Sequence, residues 1–122
     1  MKYTFTLILS LLFINYLQAQ NITGRWYSND STRIYEIKQV SENKFTAVLY
    51  RSTRKNDSIG YVVINNLQYN SHKERYEGVI YAVSGGQPTF VKIKFYKNRS
   101  DIIVLKLDRM FFMDVSLNWV KV

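Results

Sequence analysis

Residues 21–30 read NITGRWYSND. Gly24-Arg25-Trp26 stands just past an apolar N-terminal run and ahead of a chain rich in Val, Ile, Tyr, Phe and Thr, residue types that suit a pleated, half-buried surface. A Trp this early needs an interior to enter, and the runs downstream supply one. In 90–96, Val91, Ile93 and Phe95 face one way, Lys92 and Lys94 the other. In 101–107, Ile103, Leu105 and Leu107 share a face. In 112–120, Met113, Val115, Leu117 and Trp119 oppose Asp114, Ser116 and Asn118. A period of two with one wet face predicts antiparallel sheet. Tyr61–Ile64 is apolar on both faces, which predicts a more covered strand.

Turn signals separate these runs about every 12 to 16 residues, an all-β spacing. They include Asn29-Asp30-Ser31, Ser41–Lys44, Arg54–Ser58, Asn70–Lys73, Ser84–Pro88 and Asn98–Asp101, with a weaker one at Asp108-Arg109. About eight strands joined in order by short turns read as a meander, and a meander of that size closes into a barrel and so removes its exposed edges. The competing open sandwich needs longer crossing connections. The expected fold is therefore all-β, a single antiparallel up-and-down barrel. Trp26 then plugs its floor, and Gly78 inside a strand pattern marks a bulge or bend.

The first residues follow signal-peptide grammar. Lys2 supplies positive charge, Thr6–Ile14 is a short apolar run, and Asn15–Ala19 ends in a small residue. The apolar run is about half the ~20 residues of a membrane span. The chain is expected to divide into a signal peptide at 1–19 and one barrel domain at 20–122, with a secreted or periplasmic address and no transmembrane segment in the mature chain. There is no cysteine, hence no disulfide and no cysteine-linked lipid anchor. A content of 47% hydrophobic and 16% aromatic residues is far above that of a disordered chain, so one core must hold the fold.

The formal charge is +8; with Lys2 removed, sixteen basic residues against nine acidic ones leave +7. Net charge speaks first to solubility. Arg51–Lys55 reads as a charged loop at the barrel mouth rather than a nucleic-acid site, because oligonucleotide-binding barrels have five strands. His72, the only histidine, sits in a turn without companion metal ligands, so no metal or cofactor is expected. No nucleophile motif, zinc motif or phosphate loop occurs. Only Tyr61, Tyr76 and Glu77 merit inspection as a polar cluster, and no enzyme activity is expected.

Gly24-Arg25-Trp26 resembles the Gly-x-Trp signature of calycins, the group containing lipocalins and fatty-acid-binding proteins. A closer resemblance is to the small exported bacterial barrels catalogued as domain of unknown function 2147, on Gly24-Arg25-Trp26, Tyr76-Glu77-Gly78-Val79-Ile80-Tyr81 and Trp119-Val120-Lys121-Val122. The Trp of that family's second hairpin is absent, Tyr50 being the nearest aromatic, and Lys121 stands where Arg is usual. The resemblance implies a floor built from Gly24, Trp26 and Lys121, with the basic side chain over the indole. It brings no activity with it.

An eight-strand barrel is just wide enough to fill with side chains or to hold one small ligand. The inward candidates are Phe45, Val91, Ile93, Phe95, Ile103, Leu105, Met113, Val115, Leu117 and Trp119. Two functions remain open at this level. One is a container for a small hydrophobic or amphiphilic molecule. The other is a solid barrel whose basic loops meet a protein or an anionic envelope component.

Overall fold

The computed structural model describes residues 21–83, 85–108 and 115–122. The expected signal peptide and Met113 lie outside them. Eight strands follow in chain order: β1 (Gly24–Tyr27), β2 (Arg33–Ser41), β3 (Lys44–Ser52), β4 (Val62–Asn70), β5 (Arg75–Ile80), β6 (Thr89–Phe95), β7 (Ile102–Asp108) and β8 (Val115–Lys121). Each pairs antiparallel with the next. β8 returns to β1 through Trp26↔Lys121 and Tyr27↔Val120, closing an up-and-down barrel. Closure leaves no strand of the sheet without a neighbour on either side.

The alternation read from the sequence places the core. Val91 and Ile93 in β6 and Ile103 and Leu105 in β7 are fully buried, while Lys94 and Lys106, at the opposite parity, are exposed. The register aligns Ile93, Leu105 and Leu117 across β6, β7 and β8 in one interior layer. Phe45 is buried in β3, and Phe95 and Val115 pack against the same core.

The stretch at Tyr61–Ile64 differs from its reading as a strand covered on both faces. Val62 is 42% exposed, whereas Val63 and Ile64 are both buried. The pairs Ala47↔Ile64 and Val48↔Val62 leave Val63 as an extra residue between them. This bulge lets two successive side chains enter the barrel. A second bulge lies between Asn65 and Gln68, opposite Gly78. A Cβ on Gly78 would stand 3.1 Å from the Asn65 carbonyl oxygen and from Leu67 Cα. Gly78 thus allows the close backbone approach that bends the wall, as its place in a strand pattern predicts.

One end of the barrel is closed by aromatic rings and the segment preceding β1. Trp26 is fully buried, and its Nε1–H donates to the Ile22 carbonyl at 2.9 Å. Phe95 meets the indole edge-on, with centroids 6.4 Å apart. Ile22 is fully buried beside Tyr76, whose ring packs against Phe45 and Tyr69. Lys121 Nζ lies 4.7 Å from the Trp26 ring centroid and donates to the Thr23 carbonyl at 2.9 Å. Gly24, at φ +128°, leaves room for that ammonium: a Cβ there would stand 2.6 Å from Lys121 Nζ. The glycine of the Gly-x-Trp motif therefore has a backbone reason in this chain, a φ that side-chain-bearing residues rarely adopt. Lys supplies a cation over the ring without the stacked guanidinium plane of Arg.

Candidate functional site

Among the described residues the opposite end is open. It is formed by the loops after β1, β3 and β5 and by the adjoining ends of β7 and β8. A cleft of about 810 Å³ descends from it into the barrel. Its deep wall is apolar, with Val63, Ile80, Leu107, Leu117, Tyr35 and Trp119. Tyr35 and Trp119 stack nearly parallel, with centroids 4.3 Å apart. Strand length makes this contact possible. β1 ends at Tyr27 and is followed by the small, buried Ser28, so rings from β2 and β8 meet across the gap. The Asn29 side-chain carbonyl then accepts from the Asn118 backbone N–H at 2.7 Å, which ties the loop after β1 to β8.

The rim is polar and charged. Arg33 opens β2 at the same inward parity as Tyr35 and Ile37. Its Nε and Nη2 donate to the two oxygens of Asp57 at 2.7 and 3.1 Å, a bidentate pair. Ser52 Oγ–H donates to Asp57 at 2.6 Å, and the Tyr35 hydroxyl is a further partner of Arg33. Asp30 accepts from Ser28 Oγ, from the Thr32 backbone and hydroxyl, and from Arg54 Nη2. Those bonds hold the Asp30 carboxyl well below its ordinary range. Arg33, with Ser52 adding to it, brings Asp57 from 3.8 to about 2. Burial pushes the Tyr35 hydroxyl up, so it stays neutral.

The Arg33–Asp57 pair has a consequence for acid stability. Asp57 is more acidic folded than unfolded, so its contribution is present above the ordinary carboxylate range and is lost as pH falls toward 2. Asp57→Asn should flatten the part of the urea-midpoint profile between pH 4 and pH 2 and leave its shape above pH 5 unchanged. A profile of unaltered steepness would show that the pair does not couple folding to protons.

Of the ten inward candidates, Leu117 and Trp119 line the cleft. Val91, Ile93, Ile103 and Leu105 are fully buried in the core beside it, Phe45 and Phe95 belong to the closed end, and Val115 packs against the core. Among the described residues the barrel is packed toward its closed end and holds a cleft toward the other. The sequence reading did not name Arg33, Tyr35, Val63, Ile80 or Leu107 as lining residues. The alternation Arg33-Ile34-Tyr35-Glu36-Ile37 could have placed the first two, but an inward Arg reads as a solvated one until its buried partner is known.

Tyr61, Tyr76 and Glu77 do not converge. Tyr61 donates to the Ala82 carbonyl at the open end, Tyr76 lies in the closed end, and Glu77 is on the outer wall with Arg75 and Asn70. Among the described residues no three His, Cys, Asp or Glu side chains are grouped to hold a metal ion. No helix there is long and apolar enough to cross a membrane. A second concavity of about 530 Å³ lies on the outer wall by Gln68, Glu77 and Phe90, and it lacks the continuous apolar wall of the mouth cleft. No family model matches this chain, and no curated protein and no solved structure matches it significantly.

Proposed function

We propose that this protein is an exported barrel that holds a small, partly apolar molecule in the mouth cleft. The observation that carries the reading is the cleft itself. Its volume of about 810 Å³ falls in the range of small-molecule sites, which run from ~300 to ~1,000 Å³, and an apolar depth under a polar rim is their usual build. The closed end and the packed core make a rigid base, so the cleft exists before any ligand arrives. A pre-formed site avoids much of the ordering cost of binding. The calycin-like resemblance of Gly24-Arg25-Trp26 agrees with this role and adds no ligand identity.

The uncharged fluorophore N-phenyl-1-naphthylamine tests the reading. It should bind saturably and brighten, with energy transfer from Trp119 that is lost in Trp119→Phe. Leu117 is half-buried and faces the cleft. Leu117→Trp should therefore fill the space and weaken binding by at least about tenfold while the urea midpoint stays close to that of the parent, since the added volume enters a void and not a packed core. Absence of saturable binding would turn the reading toward a solid barrel that works through its surface. Native mass spectrometry of protein taken from its own host should show a co-purifying small molecule.

A further inference from the structure

The chain as a whole is strongly basic, yet the described side chains around the cleft are not. Three charged residues line it: Asp30, Arg33 and Asp108. Arg33 is the one cation among them, and both its Nε and its Nη2 are engaged by Asp57, whose side chain is 8% exposed. Asp30 is satisfied by four donors, Arg54 among them. Asp108 lies 3.4 Å from Lys92 Nζ. Each described charge on the cleft is thus already paired within the protein. The described groups left to meet a ligand are uncharged: the Asn29 side-chain NH2, the Tyr81 hydroxyl, the Gln87 amide, the remaining lone pairs of the Thr89 hydroxyl and the backbone at Gly86, while the Gly85 N–H already donates to the Ala82 carbonyl.

From this arrangement we infer that the cleft takes an uncharged amphiphile, a hydrocarbon body with a head group bearing hydroxyl, ester or amide functions. The inference rests on the container reading above. Among the described residues, an anionic head group would meet two carboxylates and a guanidinium whose charge is already opposed, and would lose its hydration without gaining a free cation. A cationic head group would find both carboxylates occupied by Arg54 and Lys92. Amides and hydroxyls instead exchange hydrogen bonds with a neutral head at little desolvation cost. The apolar wall below, from Tyr35 and Trp119 to Leu117, accepts the hydrocarbon in either case. The head group therefore decides selectivity.

Competition against bound N-phenyl-1-naphthylamine, at pH 7 and below micelle formation, separates the outcomes. The probes are 1-monolauroylglycerol, laurate and dodecyltrimethylammonium, which carry hydrocarbon tails of similar length on neutral, anionic and cationic heads. The neutral probe should compete at least about tenfold more strongly than either ion. Asp57→Asn removes the charge that opposes Arg33, so laurate should gain at least about tenfold in that variant while 1-monolauroylglycerol changes little. Should the variant fail to fold, the order of the three probes on the parent protein still decides. If the fluorophore binds but laurate or the cation competes as well as the neutral probe, the inference falls and the container stands. If the fluorophore itself does not bind, both fall.

Discussion

Trp26→Ala is expected to lower the unfolding free energy by about 3–5 kcal/mol, the usual cost of emptying a packed aromatic site. That is a large share of the ~5–15 kcal/mol that holds a small domain together. The reasons lie in what the indole touches. It is fully buried, it satisfies the Ile22 carbonyl, it receives the edge of Phe95, and it lies beneath the Lys121 ammonium. Truncation would leave a cavity, a buried carbonyl without its donor and a cation without its ring. Urea unfolding measures this, with a fall in midpoint and an unchanged slope. Trp26→Phe keeps most of the volume and loses the N–H donor, so it should cost clearly less. A Trp26→Ala protein within about 1 kcal/mol of the parent would show that the floor relaxes to close over the gap.

Leu105→Asp should leave no folded barrel at neutral pH. Leu105 is fully buried in β7, with Ile93 and Leu117 directly across on its two neighbours. A carboxylate there has no described cation to pair with, and an unpaired buried charge costs several kcal/mol even after relaxation. Asn118→Asp, on the exposed face of β8, should shift the urea midpoint little. Leu117→Asp adds a graded comparison. Leu117 shares the inward parity but borders the open cleft, where water reaches a carboxylate, so the loss should be intermediate. Circular dichroism and urea melts of the three variants would order them as Leu105, Leu117, Asn118. Equal losses at Leu105 and Leu117 would mean that the cleft is closed to water in solution.

The two substitutions also mark how far the sequence could be read. Strand parity in β6, β7 and β8 was legible because each has one wet face, and lysines alternating with Val, Ile and Leu leave a single way to face the core. The early Trp and the glycine two residues before it were legible as a floor. Tyr61–Ile64 was misread because a bulge advances the face by one residue, and no residue in that stretch announces it. Gly78 did announce its bulge, since a missing side chain inside a strand points to a close approach. Residues of the site were the least legible. Arg33 in a sequence is a surface cation by default, and Asp57, 24 positions away, is what turns it into part of a neutralised rim.

By itself the sequence determined the number of strands, their order, their antiparallel sense and which side chains of the last three face inward. These follow from local alternation and turn chemistry, which act over a few residues at a time. Only the tertiary structure decided that the described residues pack one end of the barrel and leave a cleft at the other. Whether inward Leu, Val and aromatic side chains meet or leave a gap depends on strand lengths, on bulges and on the rings that neighbouring strands bring together. Trp119 and Leu105 share one face in the sequence pattern. One borders a cleft because β1 stops at Tyr27 and the small Ser28 follows, and the other is enclosed because β6 and β8 set Ile93 and Leu117 against it.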